Sequence, residues 1–209
     1  MEKICEQEIS PWQLSLKSAI RTTADLFDYL ALSSDDYPLA AKGSDDFPLF
    51  ATREFLDRID LSNRDDPLLL QVLPDKRETL DVEGFTADSL DEKRATIEPG
   101  ILQKYQGRYL VVTTQNCAIH CRYCFRKHYP YSDSPPSSEL WSRLVGLVKN
   151  DRSCQEVILS GGDPLTLSDR QLQRLIEPLG KIRHLKRIRV HTRLPIMIPS
   201  RATDSLCNL

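Results

Sequence analysis

Three cysteines stand close together near the middle of the chain, within the stretch Cys117-Ala118-Ile119-His120-Cys121-Arg122-Tyr123-Cys124. Thiolates so close on one short loop could each bind one iron of a cubane iron–sulfur cluster. Because only three cysteines are available, the fourth iron would be left open to another molecule. The spacing therefore indicates an iron–sulfur centre with one free coordination position.

A zinc site is the alternative for the same cysteines. Structural zinc takes four ligands, usually from two paired units of cysteine or histidine. His120 lies between two of the cysteines and is poorly placed to supply the fourth ligand. We therefore favour the cluster, with Cys117, Cys121 and Cys124 as its ligands.

From residue 108 onward, predicted strands alternate with predicted helices. Strands are expected at 108–114, 156–160 and 187–192, and helices at 138–149 and from Ser168 to Gly180. Alternation about every 30 residues is typical of βαβ units and a parallel sheet, so an α/β fold is expected. In such sheets, sites collect on the loops after the carboxyl ends of the strands. We therefore expect the cysteine loop, the loop Gly161-Gly162-Asp163 and the loop after Thr192 to share one face.

Residues 1 to about 100 predict a helical, acidic region. Ser10-Pro11-Trp12-Gln13 has a capping-box signature and begins a helix to about residue 21. Further helices are expected at 23–32, after Thr52 and at 68–73. Residues 75–100 are charged and irregular, with Gly84, Pro99 and Gly100 as breakers, and are expected to form a linker. The predicted organisation is thus a helical N-terminal region and linker at 1–100, followed by an α/β core at 101–209.

The composition is that of an ordinary globular protein and does not favour a nucleic-acid-binding or membrane-spanning protein. The 209 residues are 40% hydrophobic and 28% charged, which is ordinary for a globular protein, and the net charge is −2. This charge predicts no bulk attraction to nucleic acid or to an anionic membrane. The N-terminus has no apolar signal segment, and no stretch approaches the ~18 apolar residues of a membrane span. Because the other cysteines are scattered, a reduced, cytoplasmic compartment is expected.

Basic side chains are expected near several strand ends. They are usually solvated surface residues. Around the mouth of a site, however, guanidinium groups hold carboxylates and phosphates through paired hydrogen bonds. The residues placed there by this interpretation are Lys104, Arg108, Arg122, Arg126, Lys127, His128, Arg193 and Arg201. The basic run 181–193 lacks interleaved aromatic residues, so a nucleic-acid groove is not supported.

Four ordered stretches carry a resemblance to a known family. They are PGILQKYQGR from Pro99, CAIHCRYCFRKHYPY from Cys117, LSGGDPLTLSD from Leu159 and HTRLPIMIPSRAT from His191. Together they resemble the lysine 2,3-aminomutase family of radical S-adenosylmethionine (radical SAM) enzymes, and the likeness extends over nearly the whole chain. It implies the first half of a partial (β/α)6 TIM-like barrel, preceded by the helical N-terminal region.

The resemblance also implies an isomerase. In this family a [4Fe-4S] cluster, reduced by an electron donor protein, cleaves S-adenosyl-L-methionine to a 5′-deoxyadenosyl radical. The radical takes a hydrogen atom from lysine, and pyridoxal 5′-phosphate (PLP) carries the amino group from C2 to C3. The implied activity is isomerisation of L-α-lysine to β-lysine, which in the most similar branch serves the β-lysylation of elongation factor P (EF-P).

Site residues follow from the matching positions. Cys117, Cys121 and Cys124 would ligate the cluster, with Tyr123 packed beside it. Gly161, Gly162 and Asp163 would line SAM. Lys104, Tyr105 and Arg108 would meet the phosphate of PLP. Arg126 would pair with the substrate carboxylate, as the catalytic residue of the set, and Arg193 and Arg201 would hold anions.

One departure from the family pattern concerns the C-terminal side. The resemblance implies three further βα units, including the lysine that binds PLP and the acids that hold the substrate ammonium group. No positions of this sequence match them. We therefore expect a truncated chain that makes no β-lysine alone. The alternatives are a non-catalytic remnant and a zinc-binding adaptor module.

Overall fold

A five-stranded sheet lies at the centre of the structure, a computed structural model that describes residues 9–40, 47–133 and 137–209. In spatial and chain order the strands are β1 (Thr96–Glu98), β2 (Ile101–Tyr105), β3 (Arg108–Thr114), β4 (Glu156–Gly161) and β5 (Arg187–Val190). The first three are antiparallel neighbours, whereas β4 pairs in parallel with β3 on one side and β5 on the other. The predicted α/β fold with three parallel strands is confirmed, although β5 ends before the predicted Thr192.

Short helices make up much of the described N-terminal region. They are α1 (Pro11–Lys17), α2 (Thr23–Leu30), α3 (Arg53–Leu56), α4 (Pro67–Val72) and α5 (Glu92–Ala95). The predicted capping box at Ser10 and Gln13 is present at the start of α1. Helices this short are not stable alone, so packing must hold them in place.

One apolar core joins this region to the sheet region. Leu26 of α2 and Leu69 of α4 belong to the same buried cluster as Leu165, Leu194 and Met197. The predicted boundary at residue 100 therefore does not divide the core. It also falls inside the hairpin of β1 and β2, which pair antiparallel across it.

The prediction that residues 75–100 form an irregular linker is wrong. The segment contains a 3-10 turn at Lys76–Thr79, the helix α5 and the strand β1. Gly100 takes a φ of 82°, which a glycine adopts without strain, and turns the chain from β1 into β2. The pattern Thr96-Ile97-Glu98 before Pro99-Gly100 is a strand and turn signal that the high charge of the segment obscured.

Helices cover one face of the parallel strands. They are α6 (Ser138–Asn150) and α7 (Asp169–Gly180), each close to its predicted range. The capping box predicted at Ser168 and Gln171 is present. Leu144 and Leu175 from these helices pack in a second core with Val157 and Leu159 of β4. Both faces of β4 are buried over most of its length, as expected for a strand inside a parallel sheet.

Two short helices follow β5, namely α8 (Leu194–Met197) and α9 (Asp204–Cys207). Within the described ranges, no helix is long and apolar enough to cross a membrane. The prediction that the N-terminus has no apolar signal segment concerns mainly residues 1–8, which lie outside the described residues.

Leu144 offers a test of the second core, because its side chain is fully buried. We expect Leu144→Ala to lower the free energy of unfolding by about 2–5 kcal/mol through lost burial and a residual cavity. The matched control is Leu80→Ala, at a position that is 65% exposed, which should change it by less than about 0.5 kcal/mol. Urea unfolding followed by circular dichroism measures both. Equal effects would contradict the assigned core.

Candidate functional site

A cavity of about 580 Å³ opens where β3 and β4 end. Most of its lining comes from the loops that follow β3, β4 and β5, so these loops meet on one face as expected. The lining includes Cys117, Cys121, Tyr123, Cys124, Arg126, Gly161, Gly162, Asp163 and Arg193. Most of the residues predicted to do chemistry are thus brought to one cavity.

The cysteine loop is held by backbone contacts with the N-terminal region. The His120 N–H donates to Phe50 O (2.8 Å), and the Arg122 N–H donates to Gln71 O (2.8 Å). Ile119 also forms a β-bridge with Ala51. The N-terminal region therefore fixes the path of the loop between the first and last cysteine.

The side chain of His120 belongs to this attachment. Its ring stacks on Phe47, with centroids 4.9 Å apart, and contacts Phe50 at 5.4 Å. Its Nδ1 lies 2.9 Å from Pro48 O. Burial lowers the pKa of His120, which favours the neutral ring. These contacts make His120 an anchor of the loop.

The three thiols are half-buried and free of disulfides. Burial, together with the charge of Asp163 and the neighbouring cysteines, raises the pKa of Cys117 to about 12. Burial also raises the pKa of Cys121, and Arg193 opposes this shift. Because metals bind the thiolate, loading an iron–sulfur cluster here would release protons.

Gly161 and Gly162 allow two backbones to touch. A Cβ on Gly161 would lie 2.4 Å from Thr114 O, and one on Gly162 would lie 2.2 Å from Asn116 O. Gly161 also has a φ of 132°, a conformation that favours glycine. The glycine pair therefore places the loop after β4 directly against the start of the cysteine loop.

The carboxylate of Asp163 is committed to hydrogen bonds within the protein. Oδ1 accepts from the Leu165 N–H (3.0 Å) and the Thr192 hydroxyl (2.6 Å), and Oδ2 accepts from the N–H groups of Arg193 (2.7 Å) and Leu194 (2.9 Å). The side chain thus ties the loop after β4 to the loop after β5. Asp163 lines the cavity, but its carboxylate positions other residues.

Arg126 is buried and paired with a carboxylate of the same chain. Its Nε and Nη2 bind Glu92 at 2.9 and 2.7 Å, and its Nη1 donates to Ser160 Oγ at 2.8 Å. The Arg126 side chain is only 4% exposed. A substrate carboxylate at Arg126 would have to displace Glu92. Sequence reasoning missed Glu92, because nothing in its local pattern identifies a partner 34 residues away.

Lys104, Tyr105 and Arg108 do not reach the cavity. β3 is seven residues long, so Arg108 and Thr114 lie at opposite ends of a strand spanning ~20 Å. Lys104 Nζ donates to Leu90 O (2.9 Å), and Arg108 Nε binds the buried Glu156 (2.5 Å). The prediction that these residues ring the mouth of the site is wrong, because they lie at the amino edge of the parallel strands. Tyr105 and Arg108 instead line a second cavity, of about 590 Å³, at that edge, and their contact with the phosphate of PLP stays a prediction.

Arg201 is also not at the mouth. It is fully buried and donates from Nε to Leu165 O (2.8 Å) and from Nη2 to Leu167 O (3.1 Å). Nη2 further pairs with Asp169 at 2.7 Å. The prediction that Arg201 lies at the mouth is wrong, since its side chain ties the loop after β4 to the start of α7 and the anion beside it is Asp169 of the same chain.

Arg193 and Tyr123 do line the cavity. Arg193 Nη1 lies 3.0 Å from Cys121 Sγ and 2.8 Å from the Tyr123 hydroxyl. The Tyr123 hydroxyl donates to Gln71 Oε1 (2.8 Å), which also accepts from Arg193 Nη2 (3.2 Å). Sequence reasoning missed Gln71, although a polar residue in the otherwise apolar helix α4 is a weak signal; Gln71 is 8% exposed.

The donor set fits an iron–sulfur cluster. Three thiols from one loop face one cavity, and a guanidinium N–H is directed at one of the sulfurs. In the part of the chain that the structure describes, no three His, Cys, Asp or Glu side chains are grouped closely enough to hold one metal ion, and this includes the three cysteines. In a cubane cluster each thiol would instead bind a different iron.

Comparisons with known proteins find one matching superfamily model and several similar enzymes. The model for the radical SAM superfamily matches residues 111–199, which contain the cysteine loop, the Gly161–Asp163 loop and Arg193. L-lysine 2,3-aminomutase from Haemophilus influenzae is 41% identical over 203 residues, covering 97% of this chain and 60% of the relative. The enzymes of that name from Buchnera aphidicola and Escherichia coli are 40% and 38% identical, covering 100% and 93% of this chain and 62% and 57% of their own lengths.

The chain is therefore similar to radical SAM proteins over residues 111–199 and to L-lysine 2,3-aminomutases over nearly its whole length. The resemblance carried by the four sequence stretches is confirmed. The chain spans about 60% of the length of these curated relatives.

The ion pair of Glu92 and Arg126 yields a prediction about stability. Removing one partner leaves a buried charge unpaired, so Glu92→Gln should lower the free energy of unfolding by about 3 kcal/mol. Glu139→Gln, which removes an exposed carboxylate paired with Arg143, should cost less than about 0.5 kcal/mol. Urea titration compares the two. The double change Glu92→Leu with Arg126→Met should cost less than Glu92→Leu alone, and a larger cost would argue against the buried pair.

Glu78 yields a prediction about pH. Burial tends to raise its pKa, but hydrogen bonds from Arg122 and Lys127 outweigh burial and hold the pKa below 4.5. A carboxyl with a lowered folded pKa stabilises the fold above its ordinary pKa, and this contribution is lost as the pH falls through the folded value.

The free energy of unfolding of the parent chain should therefore be higher than that of the Glu78→Gln variant. This difference should be constant from neutral pH down to about pH 5.5 and should shrink below about pH 4.5. Urea unfolding across this range measures it. Glu83→Gln, at an exposed position, controls for the change of charge. A margin that grows on acidification would contradict the assignment.

Proposed function

We propose that Cys117, Cys121 and Cys124 hold a [4Fe-4S] cluster that works with S-adenosyl-L-methionine, as the radical-generating part of a lysine 2,3-aminomutase. The observation that carries the proposal is that the three thiols, Arg193 and the backbone of Gly161 and Gly162 line one cavity. When bound together, the cluster and SAM supply a carbon radical that abstracts hydrogen. The remaining roles belong to residues of this chain.

The first role is to hold and orient the cofactors. The cysteine loop is anchored at His120 and Arg122, which keeps the three sulfurs on one side of the cavity. The backbone after β4 approaches the same space at Gly161 and Gly162 and offers polar groups to the amino end of SAM. Tyr123 borders the cavity beside Cys121 and Cys124.

The second role concerns the substrate. The proposed activity is isomerisation of L-α-lysine to β-lysine, supported by the names of the relatives. Arg126 is proposed to take the substrate carboxylate in exchange for Glu92, which shows that a carboxylate fits against this guanidinium. PLP is proposed as the cofactor that carries the amino group, with Lys104, Tyr105 and Arg108 as the residues that the family resemblance assigns to its phosphate; Tyr105 and Arg108 line a cavity apart from the one at the cysteines.

Further family features are proposed on the same basis. β-Lysine would serve the modification of elongation factor P, and an electron donor protein would reduce the cluster. The described cysteines are free thiols, as a reducing cytoplasm would keep them. We propose a cytoplasmic location for this reason.

Anaerobic reconstitution with iron and sulfide tests the cluster. We expect about four irons per chain and an electron paramagnetic resonance spectrum of the reduced protein that changes when SAM is added. Cys117→Ser should abolish or sharply reduce the bound iron. Cys207→Ser is the matched control and should leave the iron unchanged, since Cys207 is exposed on α9.

Two results would contradict the proposal. One is a cluster whose spectrum does not respond to SAM. The other is protein, purified without oxygen, that holds one zinc per chain and takes up no iron, which would favour the zinc-binding adaptor instead.

A further inference from the structure

Arg193 directs a cation at one sulfur of the cysteine loop. Its Nη1 lies 3.0 Å from Cys121 Sγ, within hydrogen-bonding distance for a sulfur acceptor. In the described residues, no carboxylate forms an ion pair with this guanidinium. Its side-chain partners are instead the sulfur, the Tyr123 hydroxyl and the Gln71 amide oxygen. The positive charge beside Cys121 is therefore not neutralised by a neighbouring acid.

The position of Arg193 is fixed from several sides. Its backbone N–H donates to Asp163 Oδ2 at 2.7 Å, which sets where the side chain begins. The guanidinium lies 5.7 Å from the centre of the Tyr123 ring. Gln71 accepts from both Arg193 and Tyr123, and its own backbone carbonyl accepts from Arg122 in the cysteine loop. Gln71 is 8% exposed, so the arrangement is anchored in the protein interior.

The positive charge of Arg193 would affect the reduction potential of a cluster bound at Cys121. The reduction potential of an iron–sulfur cluster depends on its net charge and on hydrogen bonds to its sulfurs. A cationic N–H donor stabilises a sulfur more when the cluster has gained an electron. Neighbours that do not themselves ligate a metal tune it in this way.

We propose that Arg193 is a positioning residue that hydrogen-bonds Cys121 and raises the reduction potential of the cluster, and that Gln71 of α4 holds it in place. This rests on the proposed cluster site. The effect of Arg193 on the reduction potential should be measurable on the cluster alone, without SAM or substrate. It also gives the N-terminal region an influence on the cluster, through Gln71.

A redox titration of the reconstituted protein, followed by electron paramagnetic resonance in the absence of SAM, tests this. Arg193→Gln should lower the ratio of reduced to oxidised cluster on the order of tenfold at a fixed potential, a shift of about 59 mV to more negative potential. Gln71→Leu should shift the potential in the same direction by less. Arg174→Gln, which removes an exposed arginine of α7, should leave it unchanged.

The outcomes separate this proposal from the one on which it rests. If the parent chain assembles no cluster, the proposed function fails. If the parent chain assembles the cluster and Arg193→Gln has the same reduction potential as the parent, the proposed role of Arg193 is overturned. A lower affinity of Arg193→Gln for SAM, with an unchanged potential, would overturn it as well. If Arg193→Gln does not load iron, the decision passes to Gln71→Leu, and the parent potential in that variant would overturn the proposal.

Discussion

The hydrogen bonds of Asp163 are the interaction on which the site depends. Its carboxylate accepts from Leu165, Thr192, Arg193 and Leu194, and its backbone N–H donates to Asn116 O (2.7 Å) at the start of the cysteine loop. One residue therefore joins the loops that follow three neighbouring strands. A buried carboxylate with this many donors holds its geometry firmly, because losing it would leave several buried N–H groups without partners.

The N-terminal region acts as a wall of the site. It holds the cysteine loop at Ile119, His120 and Arg122, and supplies Gln71 to the side chains beside Cys121. Its helices are too short to be stable alone and share a core with residues after β4 and β5. Folding of this region and placement of the cysteines are therefore coupled.

Much of this could be predicted from the sequence, because the signals are local. Cysteine spacing, the capping boxes of α1 and α7 and the alternation after residue 108 depend on residues close in the chain. The direction of long side chains is not local. Arg193 and Arg201 both follow β5, yet one reaches the cavity and the other is buried against Leu165 and Asp169. Glu92 and Gln71 could not be predicted, because their partners Arg126 and Arg193 lie 34 and 122 residues further along the chain.

We propose that the three cysteines each bind one iron of a four-iron cluster and leave the fourth iron open. Mössbauer spectra of the iron-reconstituted chain, recorded with and without SAM, test it most directly. We expect about one iron in four to change its isomer shift when SAM binds, while the others stay as they were. Spectra in which all irons are unaffected, or all shift together, would contradict it.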